Sequence, residues 1–153
     1  CALLKSRGHK FILNMIGDGE LKEQMEKKVS ELGIKEIVHF LGFQKNVYDH
    51  LLESDIFVFP SLWEGTASSI IEAQACGLPV VCFDISSMPE MVEHHVTGLL
   101  SRAKDSEDFA NKIEELVVSK DLREQLGSNA KKNVIDNFNV EKIYNAWEEF
   151  IRT

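Results

Sequence analysis

One stretch of this chain, residues 55–84, constrains its fold more than any other. Two short apolar runs rich in strand-forming residues, at 56–59 and 80–83, flank a segment with helical composition. That segment ends at Gly77 and Pro79, as helices commonly do. Strand, loop, helix and strand in this order predict a βαβ unit of a parallel sheet, whose ligands bind outside the carboxyl ends of the strands.

The loop and the start of the predicted helix carry groups that suit a nucleotide sugar. The first N–H groups of a helix lack partners within it and attract an anion such as phosphate. Gly65 lets a ligand approach the backbone closely, and Thr66 and Ser68 are candidate caps. Glu64 precedes the helix and Glu72 lies inside it, so both carboxylates face one ligand and accept hydrogen bonds from sugar hydroxyls. Solvated glutamates are the alternative, because charged residues mostly face water.

Residues 60–81, PSLWEGTASSIIEAQACGLPVV, resemble the signature of the C-terminal domain of group 1 glycosyltransferases, which are retaining enzymes of the GT-B fold. The shared pattern is Pro-Ser, Glu-Gly, seven residues between two glutamates, and a run ending in Pro-Val-Val. The resemblance implies that Glu72 binds the ribose hydroxyls of the donor nucleotide. It also implies that Glu64 contacts the donor sugar as the catalytic residue. The implied donor-binding backbone is that of Gly65, Thr66, Ala67, Ser68 and Ser69, where Ala67 departs from the family's usual Pro or Gly.

The resemblance covers essentially the whole chain and adds residues outside this stretch. The turn containing Gly17 and Gly19 follows a predicted strand, and in the family this turn lines the donor cleft. The family holds the nucleotide base near the next predicted strand, which makes His39 and Phe43 candidates for base contact, with plain packing as the alternative. A later loop has serine where family members often have glycine, so backbone access to the cleft differs there. These serines are Ser86 and Ser87.

The predicted fold class is α/β, a parallel, Rossmann-like sheet with helices on both faces that forms the C-terminal half of a GT-B fold. Five strands are expected, at residues 11–16, 37–41, 56–59, 80–83 and 97–100.

Helical patterns fill the remaining chain. The stripe Leu21, Met25, Val29 and Leu32 is predicted to be core, because its members recur at helical spacing. Asp105 with Asp108 is predicted to mark the start of a later helix, and Asn139 is predicted to cap the last one. The last helix is predicted to turn Trp147 and Phe150 inward, with partial exposure where another domain would cover them.

Residues 1–153 are expected to be one donor-binding domain without its N-terminal acceptor domain. The family begins this domain with a strand and a loop whose arginine and lysine neutralise the donor diphosphate, and this chain starts after both. We therefore expect a fragment of a longer enzyme, inactive alone and weak in nucleotide binding. The missing strand is central in the usual order. Its loss predicts a gap in the sheet, a direct pairing of strands 11–16 and 56–59, or a strand from a neighbouring chain.

Charge and composition exclude several classes of partner. The net charge of −8 and the pI of about 5.1 disfavour a nucleic-acid surface, which needs a basic stripe. No run of about 18 apolar residues is present to span a membrane. Three cysteines without metal-like spacing fit a reducing, cytoplasmic setting. The parent enzyme could still dock peripherally at the inner face of the membrane through another part.

No metal and no cofactor are expected. His94 and His95 lie near two glutamates, but adjacent histidines point apart and no further ligand is suitably spaced. The resemblance implies that helix amides and the basic pair neutralise the diphosphate leaving group.

The function expected from the resemblance is retaining transfer of a hexose from a UDP- or GDP-sugar to a glycan or lipid-linked acceptor, in polysaccharide or glycolipid biosynthesis. One alternative is a non-catalytic nucleotide-sugar-binding module, in which case the gene would encode no acceptor domain of about 200 residues. Another is a receiver-like signalling domain. That class needs an aspartate at the tip of a central strand, where this chain has Phe59-Pro60-Ser61.

Overall fold

A computed structural model of the chain describes residues 1–65 and 67–152, and for residues 143, 145 and 146 it describes the backbone alone. The chain divides into two compact units, Cys1–His50 and Leu51–Thr153.

The first unit is built on two parallel strands. Its elements are α1 (Ala2–Ser6), β1 (Leu13–Ile16), α2 (Lys22–Glu31), β2 (Val38–Gly42) and α3 (Val47–Leu52), the last of which ends just inside the second unit. The strands pair from Leu13 opposite Val38 to Ile16 opposite Gly42, with an irregularity after Met15. The main chain of Gly42 is left-handed there, with φ of 65°. The pairing places the carboxyl ends of both strands side by side.

The apolar stripe of α2 is largely exposed, so its assignment to the core was wrong. Leu21, Met25 and Leu32 face solvent, and no residue of α2 is buried. Helical spacing predicts which side chains share a face, but burial also requires an apolar surface to cover. A two-stranded sheet offers little such surface. Among the residues described in this unit, the buried apolar side chains are Leu4, Ile34 and Val38.

The second unit holds a three-stranded parallel sheet with the order β3-β4-β5. Its elements are β3 (Phe57–Phe59), α4 (Ser68–Ala75), β4 (Val80–Phe83), α5 (Met88–Met91), β5 (Gly98–Ser101), α6 (Ser106–Val118), α7 (Lys120–Asn137) and α8 (Val140–Arg152). The register places Val80 of the central strand between Phe57 and Gly98.

The central strand β4 is buried along its whole length. Successive strand residues point to opposite faces of a sheet, so burial of all four means that both faces are covered. On one side Val81 joins Leu99 of β5 and Leu116 and Leu126 of α6 and α7 in a single apolar cluster. Burial raises the pKa of the Cys82 thiol to about 12, with the Asp84 carboxylate adding to the rise.

The structure confirms the predicted fold class of parallel sheets with helices on both sides, and all five predicted strands form within two residues of their expected bounds. Hydrogen bonds join these strands into two separate sheets, one in each unit. Among the strands that the structure describes, β1 does not pair directly with β3. The predicted direct pairing of these two strands is therefore not formed, whereas a gap and a strand from a neighbouring chain stay predictions.

The predicted start of α6 and the predicted cap of α8 are confirmed. The Asp105 carboxylate accepts hydrogen bonds from the N–H groups of Glu107 and Asp108 at 3.1 and 2.9 Å, and the Asn139 side chain accepts from Glu141 N–H at 2.8 Å. The predicted inward face of α8 is open in this structure. Trp147 and Phe150 touch edge to face, with ring centroids 6.1 Å apart, and are 60% and 72% exposed.

Candidate functional site

The loop after β3 carries Glu64 in a fixed conformation. β3 ends at Phe59, so this loop lies at the carboxyl edge of the sheet. The Ser61 hydroxyl lies 3.1 Å from the Glu64 carboxylate and 3.2 Å from the Trp63 carbonyl oxygen, with hydrogen-bond geometry to both. Glu64 is half-buried, whereas the neighbouring Trp63 ring is 80% exposed. The carboxylate is thereby held at the open end of the strand.

Among the residues that the structure describes, no side chain caps the start of α4. Ala67 occupies the N-cap position with φ of −84° and ψ of 85°, and it supplies no side-chain hydrogen bond. The prediction that Ser68 caps the helix was wrong, because Ser68 is already its first residue, and Thr66 lies outside the described residues. An uncapped helix start keeps its N–H groups available to an anion.

Glu72 lies one turn into α4, on the same side as Ser68. Four residues of helix separate the two Cα atoms by about 6 Å along the axis. The opposite side of the helix is buried through Ile70 and Ala73, so Ser68 and Glu72 share its accessible side. Cys76 lies one turn further along the helix. Burial raises the pKa of its thiol, the positive charge of Lys131 opposes that rise, and the Glu72 carboxylate adds to it.

The second unit thus brings most of the predicted donor-site residues to one place. Those the structure describes at this sheet edge are Glu64, Gly65, Ala67, Ser68, Ser69 and Glu72. Along the chain, one carboxylate residue precedes the start of α4 and the other follows it by one turn, an order that suits an anionic group with hydroxyl-bearing groups on either side. The individual roles of these residues stay predictions.

Three hydrogen bonds at and around this site were not foreseen from the sequence. The Ser86 and Ser87 hydroxyls donate to the Glu64 carbonyl oxygen at 2.9 and 3.4 Å. The buried Gln74 side chain donates to the Met91 carbonyl at 2.9 Å and ties α4 to the end of α5. The serine pair was visible in the sequence as a departure from glycine, but its partner was not.

The first unit holds the remaining predicted residues. The Gly17 N–H donates to the Gly42 carbonyl at 2.8 Å, so the turn after β1 and the end of β2 lie together. Phe43 follows Gly42 directly and is 80% exposed. In the turn after β1, the Gly19 N–H donates to the Asp18 carboxylate at 2.9 Å. His39 is exposed but sits near the start of β2, about 10 Å before its carboxyl end.

The histidine pair makes a structural contact instead of a cluster of ligands. The Nδ1 atom of His94 accepts a hydrogen bond from Leu100 N–H at 2.9 Å, and the His94 and His95 rings are 4.1 Å apart. Within residues 1–65 and 67–152, no group of three or more His, Cys, Asp or Glu side chains is arranged to hold a metal ion. In the same part of the chain, no helix is both long and apolar enough to cross a membrane.

Comparisons with known proteins agree on a single family. The family model described as glycosyl transferases group 1 matches residues 1–133. The amylovoran biosynthesis glycosyltransferase AmsK of Erwinia amylovora is 36% identical over 118 residues, which cover 72% of this chain and 29% of that protein. The N-acetyl-alpha-D-glucosaminyl L-malate synthase of Bacillus anthracis is 32% identical over 89% of this chain and 36% of that protein.

A solved structure supports the same assignment. Anabaena HepE in complex with UDP superposes with a TM-score of 0.87 at 27% identity, covering 93% of this chain and 41% of that protein. The chain spans about a third of the length of the two curated relatives. Its motif, its fold and these comparisons point the same way, and the chain belongs to the group 1 glycosyltransferases.

Proposed function

We propose that this chain is the donor-binding domain of a retaining glycosyltransferase that uses a UDP- or GDP-sugar. The observation that supports the proposal is that Glu64 lies in the loop before α4, held by Ser61, and Glu72 lies one turn into this helix. Helix amides suit a diphosphate, and carboxylates suit the hydroxyl pairs of ribose and hexose. The UDP bound to HepE supports a uridine nucleotide as the first donor to test.

Each part of the site receives one role. The amides of Gly65, Ala67, Ser68 and Ser69 hold the diphosphate and the adjoining sugar. Glu72 accepts hydrogen bonds from the ribose hydroxyls on one side of the phosphates. Glu64 lies on the other side, where it contacts the donor sugar and acts at the reacting end. The turn with Gly17 and Gly19 lines the cleft, and His39 and Phe43 are the proposed neighbours of the base.

The leaving group is proposed to be stabilised without a metal ion. Charge that develops on the diphosphate as the glycosidic bond breaks is met by the helix amides, which are already oriented toward it. An arginine and a lysine from a segment before residue 1 are proposed to complete this stabilisation.

The complete enzyme is proposed to transfer a hexose to a glycan or a lipid-linked acceptor. The name of the amylovoran enzyme supports a role in polysaccharide biosynthesis. The acceptor is proposed to bind a separate N-terminal domain, so the 153-residue chain alone is expected to be inactive. A cytoplasmic setting is proposed, since Cys1, Cys76 and Cys82 are all unpaired.

A ligand screen on the complete enzyme tests this function. Thermal unfolding would be followed with UDP, GDP and their common hexose conjugates, with ADP and free hexoses as controls. A ligand at a hundred times its Kd stabilises the folded state by about 2.7 kcal/mol, which is readily measured. Stabilisation by UDP or GDP and by one sugar conjugate is expected. A screen in which no nucleotide raises the unfolding temperature would contradict the proposal.

A further inference from the structure

We propose that Ser86 is a positioning residue for the donor site, because its hydroxyl fixes the main chain of the loop that carries Glu64. This role rests on the function proposed above. The contact itself is internal to the chain, and it is measurable whether or not a donor binds.

The contact joins two segments that are far apart in sequence. The Ser86 hydroxyl donates to the Glu64 carbonyl oxygen at 2.9 Å, across 22 residues, and the Ser87 hydroxyl approaches the same oxygen at 3.4 Å. The Ser61 hydroxyl holds the Glu64 carboxylate from the other side at 3.1 Å. Glu64 is thus held both at its main chain and at its side chain, and only the first hold comes from outside its own loop.

Holding this carbonyl also fixes the amide that follows it. In a trans peptide unit the C=O and the next N–H point in opposite directions. With the Glu64 carbonyl directed at the turn containing Ser86, the Gly65 N–H is directed away from that turn. Glycine has the most backbone freedom of any residue, so this peptide would be the easiest in the loop to rotate without the contact. The hydroxyl therefore selects one orientation of a proposed donor-binding amide.

The turn that carries Ser86 is itself well anchored. It follows β4, the central buried strand, and its main chain is bonded from Met88 N–H to the Ile85 carbonyl at 3.0 Å and from Glu90 N–H to the Ser87 carbonyl at 3.1 Å. Ser86 adopts φ of 51°, in the left-handed region that favours glycine. Serine does not favour this backbone conformation, and the hydrogen bond that its hydroxyl donates is the one to the Glu64 carbonyl oxygen.

Three substitutions separate positioning from stability. Ser86→Gly removes the hydroxyl while suiting the left-handed backbone, so the relieved strain offsets the lost hydrogen bond and the folded state is retained. Ser86→Asn tolerates the same backbone and restores a donor through its amide. Lys104→Gly is the matched control, since Lys104 is exposed and also left-handed, with φ of 61°, in the turn before α6.

Hydrogen exchange measures the contact without any ligand. In the complete enzyme, the amides of residues 61–65 are expected to exchange several-fold faster in Ser86→Gly than in the wild type. They should return toward wild-type rates in Ser86→Asn and stay unchanged in Lys104→Gly. Unchanged exchange in Ser86→Gly would overturn the proposal, because the loop would then be held by other contacts.

Donor kinetics test the positioning role. Ser86→Gly is expected to lower kcat/KM for the donor by roughly two- to ten-fold, the effect of one hydrogen bond, with the KM of the acceptor unchanged. Ser86→Asn should recover most of this loss. Faster loop exchange with unaltered donor kinetics would overturn positioning. A wild-type enzyme that binds no nucleotide sugar would instead refute the proposed function, and the exchange rates would still decide whether the contact holds the loop.

Discussion

The main chain of Gly127 in α7 packs directly against the carbonyl group of Gly77, which follows α4. A Cβ atom built on Gly127 would overlap the Gly77 oxygen and stand 3.1 Å from the Gly77 carbonyl carbon. Both groups are backbone, so neither can move aside as a flexible side chain would. This contact brings α7 close to the end of the helix that carries Glu72.

Gly127→Ala is expected to destabilise the folded state by up to about 2 kcal/mol, in spite of the better helix propensity of alanine. Propensity favours alanine by about 1 kcal/mol, but overpacking against fixed atoms costs about 1–3 kcal/mol and occasionally more. Urea unfolding gives the free-energy change. The control is Ser128→Ala, an exposed position of the same helix. Equal stability of the two variants would show that the helices separate at little cost.

Glu72→Ala is expected to weaken nucleotide diphosphate binding by about ten-fold or more. Hydrogen bonds to a charged group contribute about 1.5–3 kcal/mol, and two hydroxyls share this carboxylate in the proposed complex. Calorimetry with UDP and GDP on the complete enzyme measures the change. Glu124→Ala on α7 is the control, because its carboxylate pairs only with Lys120 at the surface in the described contacts. Unaltered affinity in Glu72→Ala would remove this residue from the site.

Glu64→Ala is expected to lower sugar transfer at least ten-fold while leaving the affinity for free nucleoside diphosphate nearly intact. The substitution removes the carboxylate but keeps the carbonyl that Ser86 and Ser87 hold, so the loop retains its anchor. Initial rates and calorimetry on the same preparation separate the two effects. If transfer and nucleotide affinity fall together, Glu64 has been placed at the wrong end of the donor.

Transfer by the complete enzyme is expected to persist in EDTA. The proposed stabilisation of the leaving group comes from amides at the start of α4 and from basic side chains, neither of which a chelator removes. Initial rates would be measured in EDTA and in added Mg²⁺ or Mn²⁺. A rate that collapses in EDTA and recovers with Mn²⁺ would contradict metal-independent transfer.

His94 is expected to make the stability of the second unit depend on pH. Its pKa lies below the usual value of about 6.5, mainly through burial and further through the charges of His95 and Lys112, while Glu115 and Asp84 oppose the shift. A lowered folded-state pKa means that the neutral ring stabilises the fold. That contribution is fully present above pH 6.5 and is lost as the pH falls through the folded pKa. Protonation also removes the Nδ1 acceptor that holds Leu100 N–H.

His94→Asn tests this dependence, because an amide oxygen accepts the same hydrogen bond without titrating near neutral pH. Urea unfolding at pH 7.5 and pH 5.5 is expected to show a smaller loss of stability in the variant than in the wild type. All other titrating groups are common to both proteins. Equal losses would mean that His94 does not contribute.

The sequence predicts local structure well because local structure depends on neighbouring residues. Strand ends, the helix start at Asp105 and the Asn139 cap involve residues within a few positions of one another, and these predictions hold. The hold of Ser86 on Glu64 spans 22 residues, so no local pattern specifies it. The contact of Gly127 with Gly77 spans 50 residues in the same way.

The failures have equally physical causes. The stripe that contains Leu21 and Met25 has the right spacing for a buried face, but spacing does not supply the surface that would cover it. At the candidate site, the motif correctly predicts that Glu64 lies in the loop after β3 and Glu72 in the helix that follows, but it does not predict how that helix begins. The prediction of a Ser68 cap was wrong by one position, because the helix begins at Ser68 and Ala67, which has no side-chain acceptor, occupies the N-cap position.

The burial of Cys82 gives this protein a built-in reporter of strand opening. The thiolate is the form that attacks a thiol reagent, and the Cys82 thiol, which is fully buried with a pKa of about 12, is almost entirely protonated at neutral pH. Labelling of Cys82 must therefore wait until β4 opens, and its rate relative to a free thiol measures the free energy of that opening. In a variant with serine in place of Cys1 and Cys76, the mass increase from labelling Cys82 would give the rate at which the central strand opens. Repeating the measurement with nucleotide present would show whether a ligand at the edge of the sheet slows the opening of β4.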